Sequence, residues 1–147
     1  MSSLSISSPV GALTIDEADE AIVSVRWGDV AANGSPLLVE AARQLEAYFA
    51  GKLSHFDLPL RPSGSDFQLR VWDEMRNIPY GQTRSYGELA RAIGAAPRAV
   101  GGACGRNPIP IVIPCHRVLA KAGLGGYSGT GGLSTKQTLL ALEGALG

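Results

Sequence analysis

The stretch of this 147-residue chain with the most pointed chemistry is NPIPIVIPCHRV, residues 107–118. It sets Cys115, His116 and Arg117 side by side behind a proline-rich lead-in. A thiol becomes a nucleophile when a neighbouring base or positive charge favours the thiolate. A cysteine among apolar residues is ordinarily a buried small hydrophobe, but here a base and a cation occupy the next two positions. Cys115 is therefore the candidate nucleophile. Ile109, Ile111 and Ile113 alternate with Pro110, Val112 and Pro114, so an extended, stiff strut is expected to deliver Cys115 and His116. Cys104, the second cysteine, is open to two readings, an inert core thiol or a second oxidisable group. His55 stands without cysteine or histidine neighbours, so no metal site is expected.

The elements that must hold these residues are readable from periodicity. VGALTI and AIVSVRW read as short strands separated by an acidic turn, DEADE, with Val23, Val25 and Trp27 on one face. Leu38, Ala41, Ala42, Leu45, Tyr48 and Phe49 recur at helical spacing, and Gly51 ends that helix. Residues 51–64, with two prolines and two glycines, read as a linker. Ser65 with Gln68, Ser85 with Glu88, and Ser134 with Gln137 each fit a capping box that opens a helix. The second of these helices stops at Gly94, and Pro97 opens another running to about Asn107. Helix, short turn, helix is the outline of a helix-turn-helix. Its second helix, RAVGGACG, carries glycines that lower stability by about 1 kcal/mol each relative to alanine. That cost is tolerated where something approaches the backbone closely, either DNA or another helix.

Composition narrows the function classes. With 45% hydrophobic and 18% charged residues the chain is not disordered, and 147 residues can bury a core in one domain or two small ones. No apolar run approaches the roughly 20 residues that cross a bilayer. The start lacks a basic region followed by an apolar one, so a soluble, cytoplasmic protein is expected. The zero net charge hides an asymmetry: residues 1–60 carry three basic and eight acidic groups, and residues 61–147 ten basic and five acidic. Between 89 and 142 there is no acid at all. A basic half suits a polyanion such as nucleic acid, although a merely dipolar surface is equally open from charge alone.

RAVGGACGRNPIPIVIPCHRV, preceded by IPYGQTRSYGELA and followed by GYSGTGGLSTKQTLLALEG, resembles the O6-alkylguanine-DNA alkyltransferases. The likeness covers more than half the chain. It implies an RNase H-like α/β N-terminal domain with linker over 1–60 and a mainly α C-terminal domain over 61–147 that carries the helix-turn-helix and the active cysteine. It further implies repair of O6-alkylguanine, and more weakly O4-alkylthymine, in double-stranded DNA. The alkyl group would pass irreversibly to Cys115, once per molecule and with no cofactor. The protein would act as a monomer, with cooperative binding along DNA left open.

Residue by residue, the resemblance gives His116 the part of activating the thiol through a water and Glu143 that of orienting it. Asn107 would hold the turn after the recognition helix. Arg98 would enter the duplex in place of the extruded nucleotide, and Tyr86 would help rotate it and donate to the base. Ala99, Gly102 and Ala103 would let the second helix sit in the minor groove. Val118 and Tyr127 would line the base pocket, and Ser128 or a neighbour such as Thr130 would meet the guanine O6. Lys136 matches a family lysine near the active site, with a solvated surface position equally open. Alkyltransferase-like proteins that bind the lesion without transfer are the alternative, but these carry tryptophan where this chain has Cys115. A helix-turn-helix transcription factor would need polar side chains on its second helix for base readout, and AVGGACG offers almost none.

Overall fold

Alternation along the first strands builds the sheet that opens the chain. Leu13 and Ile15 turn to the core, while Thr14 and Asp16 face the other way. The computed structural model describes residues 2–30, 34–120, 123–127 and 129–145, and divides into two units with the boundary between Ser63 and Gly64. In the first unit β1 (Ser2–Ile6), β2 (Leu13–Ala18) and β3 (Ala21–Trp27) form an antiparallel sheet in that order. Most of DEADE is strand rather than turn. Only Asp19 and Glu20 reverse the chain, with φ of 50° and 65°, a two-residue connection whose twist suits a hairpin. Asp16 accepts from Ser3 Oγ at 2.5 Å, from Ser24 Oγ and from Arg26 Nε at 2.8 Å. Burial works to raise its pKa, but these donors outweigh it and hold the carboxyl below the usual range.

Helix α1 (Pro36–Phe49) is capped by Ser35, whose Oγ accepts from Leu38 N at 3.1 Å. It buries Leu38, Ala41, Leu45 and Tyr48. The stretch expected to be a linker is largely tied down. Ile22 donates to Pro59 O and accepts from Arg61 N, both at 2.8 Å, and the Gln44 amide brackets the backbone of Asp57. A proline cannot donate along a sheet edge, but its carbonyl accepts there, which is how Pro59 enters the structure.

The second unit begins with α2 (Asp66–Arg76), whose capping box between Ser65 and Gln68 is complete in both directions. The short β4 (Arg84–Ser85) leads into α3 (Tyr86–Ile93), opened by an equally complete box between Ser85 and Glu88. Gly94 ends α3 in the left-handed conformation, at φ 70°. After it comes α4 (Pro97–Cys104), shorter than the expected run to Asn107, and the pair forms the helix-turn-helix. Trp72 of α2, fully buried, donates Nε1 to Ala103 O at 2.8 Å and fixes α4 from beneath. β4 pairs in parallel with β5 (Val118–Leu119).

Two expectations are corrected here. The closing helix α5 (Leu133–Leu142) has no capping box between Ser134 and Gln137; it starts one residue before Ser134, behind Gly131 and Gly132, both at positive φ. Thr135 Oγ1 instead donates to Thr130 O at 2.5 Å and closes the entrance. Nor is 108–114 extended. Ile113 N bonds Ile109 O at 2.9 Å and Ile111 sits at φ 74°, so the lead-in is a tight buried turn. A left-handed β-branched residue is costly; the burial of Ile109, Ile111 and Ile113, all at 1% exposure or less, helps hold it there.

Candidate active site

Asn107 organises the turn that replaces the strut. Its Oδ1 accepts from Ile109 N at 3.0 Å, and its Nδ2 donates to Ile113 O at 2.8 Å. The chain is thereby folded back on itself just before Cys115, which opens a single 3-10 turn, Cys115–Arg117, leading into β5. Both cysteines are free and buried. Burial pushes the Cys115 thiol up, opposed by the Asn107 amide and by the positive charge of Lys136.

His116 is fully buried, with Nε2 2.7 Å from Glu143 Oε2. Glu143 caps the C-terminus of α5, and its carboxylate also takes Arg117 Nε at 2.8 Å and Nη2 at 2.9 Å. Arg117 Nη1 goes to Ile78 O. The cation beside Cys115 in sequence is thus committed to Glu143. Burial drives the His116 pKa below its ordinary value, against the raising effect of Glu143. A neutral imidazole facing an acceptor-only carboxylate carries its proton on Nε2, which leaves Nδ1 as a lone pair. Nδ1 is buried and has no hydrogen-bond partner among the described residues.

A cavity of about 450 Å³ lies over the thiol, lined by Tyr86, Gly101, Cys104, Gly105, Cys115, Gly126 and Tyr127. Four of these, Gly101, Cys104, Gly105 and Gly126, were not singled out as pocket residues in the sequence. Spacing could have found Cys104, three residues after Gly101 on one helix. Burial pushes its thiol up to about 12, and it donates to Met75 Sδ at 3.4 Å while also reaching the cavity. Val118 does not line the cavity; it is fully buried, with its carbonyl turned to Lys136. Ser128 lies outside the described residues.

The outer face of α4 carries Arg98, Ala99 and Gly102, all exposed. A Cβ built on Gly101 or Gly102 would meet nothing within 4 Å, so no other helix accounts for these glycines. Ala103 is a correction. It belongs with Val100 and Cys104 to the buried stripe, at 3% exposure, and is not presented outward. A larger groove of about 790 Å³ continues from the cavity along Tyr86 and Gly101 and is flanked by Arg91 and Arg98. Lys136, for which a surface position was open, is fully buried and donates to Val118 O at 2.7 Å, Gly126 O at 3.0 Å and Leu124 O. Among the described residues no three of histidine, cysteine, aspartate and glutamate gather as metal ligands, and no helix is long and apolar enough to cross a membrane.

Fold and site together define a helix-turn-helix domain that buries a cysteine, backed by a histidine–carboxylate pair, beside its second helix. Comparison with known proteins gives the family. Residues 3–62 match the ribonuclease-like domain of 6-O-methylguanine DNA methyltransferase, and residues 66–145 match its DNA-binding domain. A methylated-DNA–protein-cysteine methyltransferase of Mycolicibacterium paratuberculosis is 50% identical over 149 residues, covering 94% of this chain and 89% of its own. Mycobacterium tuberculosis OGT, crystallised in complex with DNA, superposes with a TM-score of 0.87 at 46% identity, over 97% of this chain and 92% of that one. An O6-methylguanine DNA methyltransferase from Methanococcus jannaschii gives 0.71 at 29% identity, over 98% and 94%. The chain belongs to the 6-O-methylguanine DNA methyltransferase family.

Proposed function

We propose that the protein repairs alkylated DNA by moving the alkyl group from O6 of guanine, and more weakly from O4 of thymine, onto Cys115. The observation that carries this reading is the thiol at the base of a cavity that adjoins the exposed glycine face of α4, with His116 and Glu143 behind it. His116 takes the thiol proton at Nδ1, through a water that would satisfy this buried nitrogen. Glu143 holds the tautomer and stabilises the imidazolium, the logic of a hydrolase triad without a second, hydrolytic step. The thiolate attacks the alkyl carbon in line, the carbon–O6 bond breaks, and its electron pair stays with the base. Guanine leaves better when it is protonated or hydrogen-bonded, and Tyr86, which lines the cavity, supplies a hydroxyl. The product thioether does not hydrolyse, so each molecule reacts once.

A stacked base cannot bring its O6 substituent to a buried thiol, so the nucleotide must be extruded. Ala99 and Gly102 let α4 lie in the minor groove, and Arg98 fills the space the nucleotide leaves. Asn107 keeps the turn that positions Cys115, and Tyr127 walls the base pocket, with the serine at 128 or its neighbour Thr130 meeting O6. The protein binds double-stranded DNA as a cytoplasmic monomer and needs no cofactor. The test is Cys115→Ser assayed on a duplex with one O6-methylguanine. Transfer should vanish while lesion binding stays within about threefold of the parent, a change of less than 1 kcal/mol. Residual transfer would move the acceptor elsewhere, with Cys104 the first suspect.

A further inference from the structure

We infer that Arg91 holds the sugar–phosphate backbone of the extruded nucleotide, as a cationic contact separate from Arg98, in the groove that leaves the Cys115 cavity between α3 and α4. The inference rests on the repair reading, in which a nucleotide leaves the duplex for that cavity. Tyr86 and Gly101 wall both the cavity and the groove of about 790 Å³, so one space continues into the other. A base seated over Cys115 therefore trails its sugar and phosphates into the groove. Gly87, Gly101 and Ala120 keep the walls low, and a Cβ on Gly101 would meet nothing within 4 Å. Two guanidinium groups line the groove, those of Arg91 and Arg98, and no acid does. Arg98 is the residue that takes the place of the nucleotide inside the duplex, which leaves Arg91 as the cation of the groove.

The fold does not use this arginine elsewhere. Arg91 is exposed and enters no ion pair among the described residues. Glu88, one turn earlier on α3, is committed to Ser85 N at 2.9 Å; that bond, more than the charges of Arg84 and Arg91, holds its carboxyl below the ordinary range. A cation in the last turn of a helix can serve the carbonyl end, but the end of α3 is already served. Gly94 terminates it in the left-handed conformation, and Arg70 of α2 donates Nη2 to Ile93 O at 2.6 Å. No acid follows Glu88 in the sequence until Glu143, whose carboxylate is bound to His116 and Arg117. An exposed guanidinium in a groove without acids suits a phosphate, to which its planar fork donates two parallel bonds.

The experiment measures binding in the Cys115→Ser chain, so that transfer does not intervene. The probe is a duplex with one O6-methylguanine, carrying either normal phosphates or a single neutral methylphosphonate at one of the two linkages that flank the lesion. Arg91→Ala should weaken binding to the normal duplex about tenfold. It should also lower the slope of log affinity against log salt by about one, and Arg91→Lys should restore that slope. At one of the two linkages the methylphosphonate should cost the Arg91 chain about as much as the alanine does, and cost Arg91→Ala almost nothing further. Losses that add at both linkages, or an unchanged salt slope in Arg91→Ala, overturn the inference. With Cys115 intact, reaction of Arg91→Ala with a free O6-benzylguanine-like base should stay within about twofold of the parent. A larger loss would make the arginine a support of the cavity and overturn the inference as well. The binding arms need no transfer. A chain that shows the coupling but takes no methyl from the lesion duplex would therefore refute the repair reading and leave this contact standing, and one that takes the methyl with additive losses would do the reverse.

Discussion

Replacing Glu143 by glutamine should separate the stability of the site from its chemistry. The carboxylate has no exposed surface and receives bonds from His116 Nε2 at 2.7 Å, from Arg117 at 2.8 and 2.9 Å and, more weakly, from Gly81 N at 3.5 Å. Glutamine keeps the shape but offers one acceptor and turns an N–H₂ toward either the guanidinium or the imidazole. Arg117, whose side chain is 8% exposed, is then a buried cation without its carboxylate, left with Ile78 O and the face of the Tyr80 ring 5.8 Å away. Removing one partner of such a pair costs about 3–5 kcal/mol, against a total stability of about 5–15 kcal/mol. At this chain length a loss of that size lowers the melting temperature by about 10 °C. The reaction should suffer separately, because without the carboxylate nothing holds the His116 proton on Nε2. Loss of an oriented general base costs roughly 100-fold or more. Urea unfolding reads the first effect. Single-turnover transfer from an O6-methylguanine duplex, run well below the variant's melting temperature, reads the second. Adding Arg117→Met should recover part of the stability by removing the stranded cation, and none of the rate. A Glu143→Gln variant with the parental urea midpoint, or with transfer within threefold of the parent, would refute this reasoning.

Other consequences can be checked independently. Arg98→Ala should slow repair in duplexes by tenfold or more, roughly the loss of one 1–2 kcal/mol contact, while reaction with a free O6-benzylguanine-like base stays within twofold; equal losses would remove the flipping role. The His116 pKa is depressed by burial, so below about 6.5 the unfolded chain binds the extra proton first. Stability from this group is complete above that pH and declines as pH falls below it. Urea midpoints at pH 7.5 and 5.5 should differ in that sense, and the difference should shrink in His116→Gln. Gly131→Ala would set a Cβ 2.2 Å from Thr135 Oγ1 at φ 91°. It should cost about 1–2 kcal/mol in urea unfolding and slow the free-base reaction, because the Thr135–Thr130 bond that closes the loop is lost.

What was legible in the sequence was what depends on neighbours along the chain. Ser65 with Gln68, Ser85 with Glu88, and Gly94 announced the helix-turn-helix because caps are local chemistry, and the adjacency of Cys115 and His116 is itself a sequence fact. The misreadings came from forces that act across the fold. Nothing local signals that Ile111 takes a left-handed backbone, since its own preference is against it; the bonds of Asn107 and burial of three isoleucines decide it. Lys136 looks like any surface lysine until the loop carbonyls that surround it are in place. Arg117 read as the cation beside the thiol, yet its partner Glu143 lies 26 residues away. Ala103, by contrast, was within reach: Val100, Ala103 and Cys104 have the spacing of a buried stripe.

The central claim is that Cys115 is a stoichiometric alkyl acceptor, and mass measurement addresses it most directly. Purified protein is incubated with a duplex containing one O6-methylguanine, and its intact mass and peptide map are recorded. The expected result is one added methyl group per molecule, on the peptide that carries Cys115, with no further addition in excess DNA. An unchanged mass alongside lesion-selective binding would contradict it, and would make this a protein that recognises the damage without removing it.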